Sequence, residues 1–238
     1  MKVEIWSDVV CPWCYIGKRR FEQALRGFRH AVEVEVVWRA FELDPAAPSS
    51  REGKYAERLA EKYGSSVPEA QQMIDTMTGA AAAEGLDFHF ELARPGNTFD
   101  AHRLLHLAGQ RGVQDAVKER LLRATFTEGE PVSDAETLVR LGAEAGLDAD
   151  EARAVLADGR FAAEVRADER AAHELGITGV PFFVIDRRYG ISGAQPAELL
   201  QRALEQAWED ARSLTLVGAA GAAAGGDTGT CEGDACDV

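Results

Sequence analysis

The stretch Val3-Glu4-Ile5-Trp6-Ser7-Asp8-Val9-Val10-Cys11-Pro12-Trp13-Cys14-Tyr15-Ile16-Gly17 decides how this chain is read. Val3 to Val10 is rich in β-branched residues and predicts a strand that runs straight into a Cys-x-x-Cys pair. Beyond the pair, Ile16, Phe21, Leu25 and Phe28 recur at near-helical spacing among Lys18, Arg19, Arg20 and Glu22, which predicts a helix from the motif to about Gly27. Val32 to Leu43 alternates Val with Glu and then turns apolar, as a strand entering a buried sheet does. A right-handed crossover makes the two strands parallel neighbours and sets the cysteines at the carboxyl end of the first.

That placement carries chemistry. Thiol–disulfide exchange needs a thiolate to attack and a second thiol to resolve the mixed disulfide. A helix amino terminus offers unpaired N–H groups and the positive end of its dipole, which together stabilise a sulfur anion. Cys11 is therefore expected to be the exposed nucleophile and Cys14, one turn in, the more buried resolving thiol. Pro12 suits a helix start because it has no N–H to leave unpaired. Trp13 offers apolar surface to a substrate but no cation, so the expected oxidising power is moderate. The competing reading, half of a zinc site, fits a strand-to-helix junction less well than it fits a zinc knuckle. Glu4, Asp8 and Glu33 are candidates for proton transfer to Cys14, and nothing in the sequence separates them from solvated strand positions.

Working outward, Asp44-Pro45 and Pro48-Ser49-Ser50 break the pattern, and helical periodicity dominates from Arg51 to about Leu175. Helices are expected near 51–63, 68–84, 98–111, 113–127, 134–145, 149–158 and 161–175, with caps such as Ser133-Asp134-Ala135-Glu136; only Leu86 to Leu92 looks extended. Strand character resumes at Val180-Pro181-Phe182-Phe183-Val184-Ile185, followed by a tight turn and a short strand around Gly190 to Ser192. Pro196 then opens a last helix whose apolar face is Leu200, Ala203, Leu204, Ala207 and Ala211. The Val180-Pro181 bond, just before a strand, is a candidate for cis geometry. In this topology it lies beside the cysteines, with the Val180 backbone free to pair with an extended substrate chain.

Composition narrows the partners. The 238 residues suit one or two domains. They are 46% hydrophobic and 28% charged, too apolar for overall disorder. With 26 Lys and Arg against 40 Asp and Glu the net charge is −14, which disfavours nucleic acid and anionic membrane surfaces. No apolar run has the length of a membrane span, no cleavable leader precedes the first strand, and four cysteines suit catalysis better than a disulfide framework. A cytoplasmic location is the expectation. His102 and His106, four apart on an expected helix, read as polar or core-edge residues with no evident third ligand, so no metal is assigned. Trp6, Trp38 and Trp208 read as packing residues.

From Gly218 the chain becomes a Gly/Ala-rich linker that ends in Cys231-Glu232-Gly233-Asp234-Ala235-Cys236-Asp237-Val238. Its small side chains predict a mobile tail with two thiols: an exchangeable pair, a zinc-binding pair completed by Cys11 and Cys14, or a pair without function. As a disulfide it would be the species attacked, since Glu232, Asp234 and Asp237 oppose ionisation of the tail thiols.

Taken together, the strand-Cys-Pro-Trp-Cys-helix unit, the helical insertion, Val180-Pro181-Phe182-Phe183 and the closing helix resemble the DsbA family. Asp8 to Gly17, Asn97-Thr98-Phe99-Asp100-Ala101-His102-Arg103 and Ile191-Ser192-Gly193-Ala194-Gln195-Pro196 resemble its cytoplasmic FrnE-like branch more narrowly. The resemblance covers about residues 1–213 and implies an α/β thioredoxin fold with a large all-helical insertion domain. Residues 1–48 and 176–213 would form the thioredoxin-fold domain, 49–175 the insertion, and 214–238 the tail. It implies a protein disulfide oxidoreductase without a cofactor. Its redox pair would be Cys11 and Cys14 and its cis-proline Pro181; apart from the resemblance, the residues themselves suggest substrate contacts at Pro12, Trp13 and Val180 and an auxiliary redox pair in Cys231 and Cys236. It places Asn97 and His102 in the wall of a substrate cleft. Partners would be disulfide or dithiol proteins, with glutathione or a thioredoxin-type reductant. The alternative is a glutathione-dependent isomerase or transferase of the 2-hydroxychromene-2-carboxylate isomerase or kappa-class type. Those relatives carry Ser at the first cysteine position, whereas this chain has Cys11 there and keeps Cys14.

Overall fold

The computed structural model describes residues 1–51 and 53–212. Four strands, β1 (Lys2–Ser7), β2 (Glu35–Ala40), β3 (Phe182–Ile185) and β4 (Tyr189–Ser192), form one sheet in the order β2-β1-β3-β4. β1 and β2 pair in parallel from Lys2 opposite Glu35 to Ser7 opposite Ala40, joined by the crossover helix α1 (Pro12–Gly27). β3 runs antiparallel to β1, and β4 antiparallel to β3.

The alternation of β1 builds both faces of this sheet. Val3 and Ile5 pack with Phe21 of α1, Phe183 of β3 and Leu200 and Leu204 of α9 (Ala197–Arg212). Trp6 points the other way, against Ala172, Ile177 and Val184. Seven helices lie between β2 and β3: α2 (Tyr55–Tyr63), α3 (Val67–Ala83), α4 (Phe99–Gln110), α5 (Gln114–Arg123), α6 (Ala135–Glu144), α7 (Ala149–Asp158) and α8 (Ala162–Glu174). Their own cores form from α4–α7, around Leu104, Leu121 and Leu138, and from an aromatic group of Phe88, Phe90 and Phe126 that receives Tyr15 and Ile16 of α1. Caps start several of them: Ser66 pairs reciprocally with Glu69, Asp134 accepts from Thr137 N and Asp148 from Glu151 N.

Four local expectations are corrected. Val32 is 98% exposed in a 3₁₀ turn (Ala31–Glu33), so the second strand is only Glu35–Ala40. The helix expected over 113–127 ends at Arg123 and continues as a π-helical turn, Ala124–Glu128, where Phe126 O accepts from His89 N across 2.7 Å instead of serving the helix alone. Leu86 to Leu92 is irregular, not extended, because Phe88 and Phe90 turn inward to the aromatic group. In the last helix Ala211 is exposed, and Pro196 precedes the first helical residue, Ala197. Trp6, Trp38 and Trp208 are packing residues as expected, the last stacked on His30 at 4.2 Å.

The segment after β2 is clamped to the helices. Asn97 N donates to Pro48 O (3.0 Å) and Asn97 Nδ2 to Pro45 O (3.3 Å). The Glu42 carboxylate, fully buried, accepts from Arg166 Nη1 at 2.5 Å, and Glu169 shares that guanidinium at 2.6 Å. Burial raises the Glu42 pKa to about 7 despite the Arg166 hydrogen bond, with Glu169 adding to the rise. The folded state thus favours protonated Glu42. Its ionisation penalty is absent below the ordinary glutamate range and complete once the pH has risen through about 7. We expect the melting temperature of the wild type to fall relative to Glu42→Gln between about pH 5 and pH 8, by differential scanning fluorimetry; parallel curves would contradict this account of Glu42.

Candidate active site

Cys11 is the N-cap of α1 and Pro12 its first helical residue, so the strand-to-helix junction holds the sulfur pair. Both thiols are unbridged. Cys14 is 0% exposed and Cys11 only 4%, so the expected exposed nucleophile is instead a recessed one, on the floor of a cleft of about 1100 Å³. The Val180–Pro181 bond is cis, and the Cys11 thiol donates to Val180 O across 3.6 Å. The Val180 N–H makes no hydrogen bond among the described residues. Pro181 approaches α1 at Gly17, where an added Cβ would lie 2.9 Å from the proline ring. Glycine there is what lets the Pro181 loop reach the cysteines.

The two sulfurs ionise as a unit. Burial opposes a thiolate on Cys14, but hydrogen bonding with Cys11, the Lys118 charge and the Asp8 N–H outweigh it and hold the Cys14 thiol below its ordinary range. Hydrogen bonding to Cys14, burial and the neighbouring negative charge push the Cys11 thiol well up, although the Cys14 N–H favours its anion. The helix terminus serves the pair, together with the donors around Cys14.

Those donors come from three elements. Lys118 of α5 is 0% exposed, donates to Ser7 O at 3.3 Å and lies 5.5 Å from the Trp38 ring centroid of β2. Burial lowers its pKa to about 8, although the negative charges around it oppose the fall. Asp8, 1% exposed, accepts from Leu43 N at 2.8 Å; its Oδ1 stands 3.3 Å from His102 Nε2 of α4, off the line a hydrogen bond needs. Burial works against the Asp8 anion, yet His102, the Leu43 N–H and Lys118 keep its pKa lowered.

The structure also sorts the other candidates. Of the three acids proposed for proton transfer, only Asp8 belongs to the site. Glu4 is held by Arg39 and Arg187, and Glu33 pairs with His30 beyond the sheet. His106 sits 3.1 Å from Asp168 and His102 beside Asp8, so the two histidines serve different carboxylates. Pro12 is buried and Trp13 is 37% exposed at the cleft, joined there by Tyr55, Tyr63, Met73 and Met77. Burial raises the Tyr55 phenol pKa, so it stays a neutral hydroxyl in this cleft. Cys231 and Cys236 lie outside the described residues. Lys118 and Tyr55 escaped the sequence reading. For Lys118 a signal existed: Val117, Leu121 and Leu122 form a buried stripe, and a lysine within it must find a partner.

The DSBA-like thioredoxin domain profile matches residues 2–205. A probable DsbA oxidoreductase from Streptomyces coelicolor, SCO1869, is 51% identical, with 95% of this chain and all of that one covered and a TM-score of 0.85. The cytosolic disulfide reductase DsbM from Pseudomonas aeruginosa, solved with GSH, shares the fold at 19% identity and a TM-score of 0.62, over 88% of this chain and all of its own. The uncharacterized protein YwbO of Bacillus subtilis is 29% identical over 85% of this chain and 94% of its own length. The chain belongs to the DSBA-like thioredoxin domain family, as a disulfide oxidoreductase with the thioredoxin fold and a helical insertion.

The Gly17–Pro181 contact is testable. Gly17→Val should force the proline ring away from α1, cost about 1–3 kcal/mol in a urea melt, and slow exchange with a disulfide peptide by about tenfold to a hundredfold. An unchanged exchange rate would show that the position of Pro181 does not matter to the chemistry.

Proposed function

We propose that this protein exchanges the Cys11/Cys14 dithiol–disulfide with disulfides of protein substrates in the cytoplasm. One arrangement supports it above the rest: Cys11 at the cleft floor beside Val180–Pro181, with Cys14 sealed behind it. Only Cys11 can meet a substrate. In the reducing direction its sulfur attacks one substrate sulfur and passes its proton to Cys14; the substrate S–S bond breaks, and the other sulfur leaves with the electron pair. Cys14, deprotonated again, then attacks Cys11, and the second substrate sulfur departs as the Cys11–Cys14 bond forms. Two electrons move from the pair to the substrate; the pair's one thiol proton ends on the first substrate sulfur, and the second leaves as a thiolate that takes its proton from water. Run backwards, the same steps oxidise a dithiol.

Several features support a polypeptide substrate. The unpaired Val180 N–H offers a pairing site to an extended strand, while Trp13 and Pro12 supply apolar contact. Glutathione serves as a reductant, a reading supported by the Pseudomonas relative solved with GSH. Cys231 and Cys236 relay oxidising equivalents: a tail disulfide reoxidises reduced Cys11, as the acidic residues around it suggest.

The test is trapping. With a disulfide protein such as insulin, Cys14→Ser should accumulate a covalent adduct at Cys11, Cys11→Ser should form none, and the wild type should turn over without accumulation. Activity that survives Cys11→Ser, or glutathione addition to small aromatic substrates without insulin reduction, would replace this reading with the isomerase or transferase one. Deleting residues 218–238 should slow reoxidation of the pair and leave adduct formation intact; unchanged reoxidation would remove the relay alone.

A further inference from the structure

The turn Ser192-Gly193-Ala194-Gln195 leads from β4 to α9 and has no part in the exchange steps above. It closes on itself: Gln195 N donates to Gly193 O at 2.9 Å and Gln195 Nε2 to Ser192 O at 2.8 Å. Gly193 has a φ of 80°, in the left-handed region that glycine enters without strain. In that conformation its N–H donates to Pro181 O across 2.8 Å. The turn therefore holds the residue that follows Val180, whose own carbonyl meets the Cys11 thiol.

One side chain grips this turn from outside. Arg20 lies one helical turn beyond Gly17 on α1, on the face where that glycine meets the Pro181 ring. Its Nη1 donates to Ala194 O at 2.6 Å and its Nε to Glu84 Oε1 at 2.7 Å. The Arg20 and Glu84 side chains are 21% and 17% exposed, so the pair is largely shielded from water, and the planar guanidinium is fixed by two charge-assisted bonds. Glu84 caps the end of α3, the helix that brings Met73, Thr76 and Met77 to the cleft. Arg20 thus joins three pieces: α1, the turn that holds Pro181, and the helix that walls the cleft.

We propose that Arg20 is a positioning residue for exchange with polypeptide substrates: by tying the Ala194 carbonyl to α1 and α3, it keeps the Gly193 N–H on Pro181 and the Val180 backbone in register for a substrate strand beside Cys11.

The bond to Ala194 is what separates this role from that of an ordinary ion pair. A pair that served stability alone would need only Glu84, and pairs near the surface contribute little. The second bond instead reaches the backbone next to Gly193, a residue with no side chain to hold its own conformation. Without it the turn keeps its internal bonds but loses its tie to α1, and the Gly193 N–H can swing off Pro181. A substrate strand would then meet a Val180 backbone that is less well ordered, whereas a small disulfide needs only the Cys11 sulfur.

The proposal rests on the polypeptide-substrate reading, so one arm of its test uses no substrate. Amide hydrogen exchange of the reduced full chain is followed by NMR. Arg20→Met should speed exchange at Gly193 by about tenfold or more relative to the amides of the β1–β2 ladder. The second arm compares a linear peptide carrying a mixed disulfide with the small aromatic disulfide dithiobis(nitrobenzoate). In Arg20→Met the ratio of peptide rate to small-disulfide rate should fall by about tenfold. Where Arg20→Met does not fold, Arg20→Met/Glu84→Gln removes both charges and is read the same way. Unchanged relative exchange at Gly193, or equal slowing with both disulfides, overturns the proposal. If exchange at Gly193 rises but the wild type reduces only the small disulfide, the hold of Arg20 on the Pro181 loop stands and the polypeptide-substrate reading falls.

Discussion

A redox sulfur kept out of water is the constraint around which this molecule is built. Cys14 has no exposure, so any anion on it must be stabilised from within, by Cys11, the Asp8 N–H and the Lys118 charge held at the Ser7 carbonyl. Those groups come from the end of β1, from the loop that leads to α1 and from α5, three pieces that meet only when the strand, the crossover helix and the insertion are packed together. Folding and redox competence are thus coupled: the buried group requires the fold, and the fold places one sulfur at the cleft floor and one behind it.

The same logic explains why the insertion is fastened so tightly to the segment after β2. That segment lines the cleft, and it carries few apolar anchors of its own. Polar groups hold it instead, with Asn97 bonded to Pro45 and Pro48, and Glu42 bonded to Arg166. Gly96 lies so close to the Ser49 carbonyl that a side chain there would run into it. A clamp of this kind fixes the cleft width while leaving the apolar lining of Trp13, Tyr63 and Met73 open to a partner.

Much of this was legible in the residues. The alternation of Val3, Ile5 and Trp6, the Cys-Pro-Trp-Cys turn and the seven helical runs carry local signals strong enough to read one at a time, and the parallel pairing of β1 with β2 follows from the crossover. What stayed hidden depends on long-range meetings. Nothing near residue 118 says that its ammonium faces residue 14, and nothing near Asp8 separates it from Glu4 until the fold commits Glu4 to Arg39 and Arg187. The burial of Cys11 was missed for the same reason, since a helix N-terminus is normally open and here helices from the insertion stand over it. The π-helical turn at Ala124–Glu128 reads as plain helix because its cause, the N–H of His89, lies far away in sequence.

Placing the favourable charge behind the second sulfur has a kinetic meaning different from placing it in the turn. A cation between the cysteines would act on Cys11, the sulfur that substrates meet. A cation behind Cys14 acts on the group that attacks in one direction and departs in the other. A thiol with a lowered pKa is more often ionised when it must attack a mixed disulfide, though each anion is a weaker nucleophile; and it departs faster when a substrate thiolate opens the Cys11–Cys14 bond. The direction of net flow lies with the partners that supply or remove electrons.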